Sequence, residues 1–225
     1  MDSTEPDLGK RLRALRQQKG WRISDVSQMT GLAVSTISKV ENGQMSLTYD
    51  KLLQLARGLS LDFTDLFKSE APAPAGTAVT GRRSVGRVSE AVHVPTGPYD
   101  HWYLNTDLSH KHMTPIVGEV LARTLEEFGP LVTHPGEEFI YVLEGKIAVH
   151  TAFYSPVVLN QGESIYLDST MGHAYLAADD GPCRFLALCS GDLSDYGEQF
   201  EGRTTPTKAP ARLSTNRKAA KTPTG

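Results

Sequence analysis

Apolar residues at Leu8, Leu12 and Leu15 fall at an i, i+4, i+7 spacing, which predicts a helix over residues 8–19. Lys10, Arg11, Arg13 and Arg16 take its other faces, and Gly20 ends it. Between Ile23 and Asn42 the apolar positions are Val26, Leu32, Ile37 and Val40. They predict two short helices broken at Gly31, where a tight turn needs a residue that tolerates φ > 0. Ser27 is small enough to let the second helix cross close to the first. The outward side of that second helix is polar: Ser35, Ser38, Lys39 and Asn42. Thr48 stands where it would cap a fourth helix over residues 49–58, with Leu52, Leu53 and Ala56 inward. A short fifth helix over 62–67 would close the core with Phe63, Leu66 and Phe67.

Residues 69–90 carry no hydrophobic period and are rich in Pro, Ala, Gly and Ser, which predicts a flexible linker. From Val92 the chain changes to short apolar runs separated by turn residues. Strands are expected over 99–104, 116–124, 138–143, 146–152, 155–159, 164–167, 173–178 and 184–189. The turns between them include Glu144-Gly145, Asn160-Gln161-Gly162 and Asp179-Asp180-Gly181. Many strands, regular turns and no helix predict an antiparallel sandwich or barrel. The last residues, 202–225, are poor in apolar side chains and expected to be disordered.

Composition changes this picture in two ways. The 225 residues are 39% hydrophobic and 22% charged, and no apolar run approaches the roughly 20 residues that span a bilayer. The first residues lack the apolar core of a secretion signal, so a cytoplasmic protein without a membrane partner is expected. The charge is divided. Residues 8–61 hold nine Lys or Arg against three Asp or Glu, residues 92–201 hold four against sixteen, and residues 202–225 hold six basic and no acidic residues. A basic helical module suits a phosphate backbone, and the acidic middle does not. Cys183 and Cys189 share one face of an expected strand and read as reduced core thiols.

The two helices around Gly31 have the layout of a DNA-reading helix-turn-helix. The words STISKVENG and SLTYDKLLQLARGL resemble the Xre-type helix-turn-helix family over about residues 8–67. Arg22 departs from it, standing where a Ser or Thr cap is frequent. The resemblance implies that Val34, Ser35, Thr36 and Lys39 face the major groove and that Asn42 contacts phosphate. It also implies that Arg16 pairs with Glu41 inside the helical domain.

The run HPGEEFIYVLEGKIAV, with His134, Glu138 and Gly145, resembles the first motif of the cupin family. The run GESIYLDSTMGHAY resembles the second and places His173 as its ligand histidine. Asp168 and Thr170 depart from that second motif. The resemblance implies a jelly-roll barrel and an inward-facing site of His134, Glu138 and His173. Val132 occupies the position of the fourth cupin ligand. Two readings stay open: a divalent metal ion on three ligands, or a metal-free pocket whose His and Glu bind a polar ligand directly. No cofactor is certain. Tyr141 is a candidate ligand contact, and Phe139, Tyr166 and Tyr175 are candidate lining residues, although alternate strand residues face opposite ways. His93, His101, His110, His112 and His150 show no ligand spacing, and no phosphate loop or nucleophile elbow appears.

The expected architecture is a five-helix DNA-binding domain plus a jelly-roll barrel. The helix-turn-helix domain takes residues 1–68, the linker 69–91, the cupin barrel 92–201 and a basic tail 202–225. The expected function is a sequence-specific transcriptional regulator and not an enzyme. Its partners would be a double-stranded DNA operator, a small polar effector in the barrel and a second copy of itself. The alternatives are a metal-dependent cupin enzyme with a DNA head, and a barrel used only for dimerisation.

Overall fold

The structure, a computed structural model, describes residues 8–67 and 81–191. The expected tail and residues 69–80 of the expected linker lie outside the described residues.

Four α-helices form the head: α1 (Leu8–Gln18), α2 (Ile23–Thr30), α3 (Val34–Glu41) and α4 (Tyr49–Gly58), followed by a 3-10 turn at Phe63–Leu66. Leu12, Leu15, Val26, Leu32, Ile37, Val40, Leu52 and Ala56 are buried, as their spacing predicts, because each helix turns one apolar stripe to a common core. Gly31 takes φ 73°, the left-handed conformation the turn requires. The Ser27 hydroxyl donates to the Leu32 carbonyl (2.6 Å), so this residue ties the turn as well as leaving room.

Two caps differ from expectation. Thr48 occupies the N-cap of α4, but its side chain makes no capping bond. At α2 the Asp25 carboxylate accepts from the Arg22 N–H (2.7 Å), which supplies half of a capping box where Arg22 itself has no acceptor to offer.

Among the described residues nine strands follow: β1 (Val92–Pro95), β2 (Tyr99–Tyr103), β3 (Met113–Val120), β4 (Glu137–Glu144), β5 (Lys146–Thr151), β6 (Val157–Asn160), β7 (Ser164–Asp168), β8 (His173–Ala177) and β9 (Arg184–Ser190). They form antiparallel sheets in the orders β1-β2-β3-β9-β4-β7 and β6-β5-β8. Strand β1 was not expected, and the expected strand over 116–124 ends at Val120. The chain turns there into a short helix, α5 (Leu125–Phe128), capped by Thr124 and burying Phe128 edge-on against Tyr99. Alternation puts Tyr99, His101 and Tyr103 of β2, Glu138, Ile140 and Val142 of β4, and Phe185, Ala187 and Cys189 of β9 inside. Both thiols are free and buried.

Head and barrel share a packed seam. Tyr103 of β2 is fully buried, and its ring meets Phe63 (5.3 Å), Phe67 (5.4 Å) and Tyr49 (6.2 Å) of the head. The Asp62 carboxylate accepts from the His110 N–H at 2.7 Å, so the His110–Lys111–His112 loop docks on the head. Residues 81–91 were expected to be linker. There the Arg82 guanidinium donates to the carbonyls of Ser109 (2.5 Å) and His110 (3.0 Å), and Ser84 donates to Asp107 (2.7 Å). The described part of that stretch is tied to the barrel.

Candidate functional site

The outward face of α3 carries the residues expected to read DNA. Val34 is 49% exposed, Ser35, Lys39 and Asn42 are exposed, and Thr36 is half-buried. Ile37 and Val40 hold the opposite face in the core, so this polar stripe is fixed outward. Asn42 is the C-cap of α3, and its side-chain amide donates to the Ser38 carbonyl (2.8 Å). One amide hydrogen stays free for a second acceptor. The Arg16 guanidinium grips the Glu41 carboxylate at 2.6 and 2.8 Å and also donates to the Trp21 carbonyl at 3.1 Å. The pair therefore bolts α1 to the end of α3 and to the α1–α2 turn.

The second site is a cavity of about 280 Å³ at the barrel's inner end. His134 sits just before β4, Glu138 on β4 and His173 at the start of β8. A backbone bond from the His134 N–H to the Ser169 carbonyl (2.9 Å) places His134 beside the turn between β7 and β8. Nε2 of His134 and of His173 lie 3.3 and 3.4 Å from the same Glu138 oxygen. The His173 Nδ1 lies 2.9 Å from the Met171 carbonyl, which fixes Nδ1 as the donor and leaves Nε2 with a lone pair aimed at the site. Burial pushes the His173 and His101 imidazoles down, His101 to about 4, so both are neutral near pH 7. Burial would raise the Glu138 carboxyl, but the two imidazoles beside it outweigh that and hold it below the usual range.

These three groups fit a divalent ion. Metal bonds of about 2.0–2.2 Å set neighbouring ligand atoms roughly 3.0–3.5 Å apart, and the two His–Glu separations lie in that range. Their donor atoms all lie within 4.8 Å of one another. His134, Glu138 and His173 would hold the ion, which would supply Lewis acidity at the cavity floor. The fourth position, Val132, lines the cavity with no donor. Its backbone instead exchanges hydrogen bonds of 3.0 and 2.9 Å with His173. The same atoms equally suit a ligand that donates hydrogen bonds, since the Glu138 oxygen facing the histidines has no hydrogen-bond partner of its own.

Tyr141 is a correction. It lies on β4 at odd spacing from Glu138, so it points to the outer face, where it is 39% exposed, and it does not line the cavity. Phe139 and Tyr166 are absent from the lining for the same reason, whereas Tyr175 is part of it. Other lining residues carried no ligand signal in the sequence. Tyr99 and His101 come from β2, and Tyr49, Asp50 and Lys51 come from α4 of the head. The alternation of β2 gives a common face to Tyr99 and His101, but nothing local announces which cavity that face meets.

Residues 12–66 match the family model for a helix-turn-helix, and residues 125–189 match that for a cupin domain. The HTH-type transcriptional regulator PuuR of Escherichia coli is 25% identical over 186 residues, covering 80% of this chain and 92% of the relative. A solved HTH_3 family transcriptional regulator from Vibrio cholerae shares the fold. It covers 84% of this chain and 97% of its own, with a TM-score of 0.53 and 20% identity. The hydroxypropylphosphonic acid epoxidase of S. wedmorenis aligns over 84% of this chain and 100% of its own at a TM-score of 0.45 and 21% identity, too loose a likeness to bear on function. The chain thus carries a helix-turn-helix domain followed by a cupin domain, the pairing expected from its motifs.

Proposed function

We propose that this protein, a transcriptional regulator with a helix-turn-helix head and a cupin domain, reads a DNA operator through α3 and senses a small polar metabolite in the barrel. Val34, Ser35, Thr36 and Lys39 would meet base edges, Lys39 donating to guanine O6 or N7 and Val34 touching a thymine methyl. Asn42 would contact phosphate through its free amide hydrogen. The observation that carries the sensor reading is the buried Glu138 carboxylate, held ionised between two histidines with an unpartnered oxygen facing a cavity of metabolite size. The acidic surroundings favour a cationic or zwitterionic molecule.

A homodimer fits the need for paired half-sites. The outer face of the six-stranded sheet supports it. Cross-strand rows there bring together Pro115, Leu188, Phe139 and Tyr166, and beside them Val117, Leu186 and Tyr141. Tyr166 is 62% exposed, more than an isolated domain gains by showing.

The test uses operator fragments selected from random DNA. Lys39→Ala is expected to lose about 1–3 kcal/mol at the selected site and to relax its preference at one base pair. A His134→Ala, Glu138→Ala double variant is expected to keep operator binding and lose the response to metabolites. An unchanged base preference in the first variant sinks the DNA-reading assignment, and an undiminished response in the second sinks the sensor.

A second reading, a metal-dependent cupin enzyme, rests on the two-histidine, one-carboxylate donor set. Metal analysis of the purified protein together with turnover assays on the loaded form separates it from the first.

A further inference from the structure

The barrel does not close its own cavity. The loop that leaves α3 and the first turn of α4 supply Met45, Tyr49 and Asp50 to the lining. The Tyr49 ring stands edge-on to the His134 imidazole, 5.0 Å between centroids. A second cavity opens on the outer side of the same seam, between α4 and residues 133–135 of the barrel, and Asp50 and His134 line both. These two side chains are the wall between inner cavity and outer groove.

Inside, a Glu138 oxygen, the His101 Nδ1 and the Tyr175 hydroxyl are buried without a hydrogen bond, and the Glu138 oxygen has only the two imidazole nitrogens beside it, at 3.3 and 3.4 Å. Glu138 is 5% exposed, so water does not satisfy it in bulk. Buried acceptors without donors cost free energy until a donor arrives. An ammonium group brings three donors and a positive charge to the buried Glu138 carboxylate. Asp50 of α4 adds a second carboxylate to the lining, and the tyrosine rings add faces that tolerate a cation.

We propose that the ligand site is completed by the DNA-binding head: Asp50 and Tyr49 are ligand-binding residues, and a small ammonium-bearing molecule is held between the carboxylates of Asp50 and Glu138. This rests on the sensor reading above and adds its route to DNA. Met45 follows the α3 C-cap, Asn42, by three residues, so the cavity roof is continuous with the helix that meets the operator. Within the head, α4 is tied to α2 by the Gln54 amide on the Thr30 carbonyl (2.9 Å). A ligand gripped from both sides favours the docked arrangement of head on barrel over any other. In a dimer that fixes the separation of the two α3 helices, and by linkage the operator and the ligand alter each other's affinity.

The experiment uses the full chain and a series of alkylammonium ions from methyl to hexyl, with the matching alcohols as neutral controls, followed by calorimetry and by amide hydrogen exchange. The wild type is expected to bind at least one ammonium ion and not its alcohol, with slowed exchange at residues 45–51 as well as 137–142. Glu138→Gln and Asp50→Asn are each expected to weaken that probe by about tenfold or more, and Asp50→Glu to recover part of the loss. Asp50→Asn replaces a half-buried side chain by one of the same shape, so folding is preserved. If the probe binds, Glu138→Gln abolishes it, and Asp50→Asn holds it within about twofold with no protection at 45–51, the head is not part of the site and the proposal is wrong, while the sensor stands. If no ammonium ion binds, or the alcohols bind equally well, the cation sensor fails and the proposal falls with it.

Discussion

Arg16 and Glu41, 25 residues apart in sequence, meet in a two-pronged ion pair at 2.6 and 2.8 Å. The Glu41 side chain is 3% exposed and that of Arg16 14%. Glu41 is buried away from the exposed face of α3 that is proposed to read DNA, so the pair holds the head together. Removing one partner leaves the other charge buried without compensation. Arg16→Ala or Glu41→Ala is expected to lower stability by about 3–5 kcal/mol in urea unfolding. The double variant should lose clearly less than the sum of the two, because the pair is the shared cause. Additive losses would show that the pair contributes nothing.

Gly58 ends α4 against α2. A Cβ there would stand 2.5 Å from the Thr30 Cα and 2.6 Å from the Met29 carbonyl oxygen, both backbone atoms that cannot swing aside. Helix propensity alone would reward Gly58→Ala by about 1 kcal/mol. The clash wins, and the variant is expected to be destabilised by about 1–3 kcal/mol. A thermal midpoint at or above the wild-type value would refute the close approach.

His101 is buried and neutral, its pKa brought from 6.5 to about 4 by burial. A lowered folded pKa means that the unfolded chain binds more protons between those values. Stability is therefore fully present above about pH 6.5 and falls as the pH drops toward 4, by roughly 3 kcal/mol across the window. The lowered pKa of His173 acts in the same direction. Urea midpoints measured from pH 7.5 to 4.5 should show the decline, and His101→Phe should flatten part of it. A variant with the wild-type slope would assign the pH sensitivity elsewhere.

Tyr141 and Tyr166 stand on the outer face of β4 and β7, 39% and 62% exposed. Tyr141→Glu with Tyr166→Glu puts two charges on the proposed dimer face without touching the inward side. Light scattering at micromolar concentration is expected to give a dimer for the wild type and a monomer for the variant, with weaker operator binding. A dimer that survives both charges would move the interface off this sheet.

Local pattern carried much of this protein. The stripes of Leu12, Leu15, Val26, Ile37 and Val40 identify the head because a helix meets its core every three or four residues, whatever it packs against. The spacing of His134, Glu138 and His173 marks the candidate site because the motif sets Glu138 and His173 on strands and His134 just before one. What no local pattern holds is the neighbour on the other side of a face. Tyr141 looks like Tyr175 in a row of letters, and only its register on β4 sends it outward. A stretch rich in Pro and Gly suggests a loose tether, yet Asp62, Arg82 and Tyr103 find partners far away in sequence and dock the head on the barrel. Asp50 is an ordinary first-turn acid of α4 until that docking brings it into the lining of the cavity that Glu138 also lines. Periodicity is a property of one segment and is written in that segment, whereas a cavity belongs to segments that meet only after the chain has folded, so the wall contributed by the head was decided by tertiary packing alone.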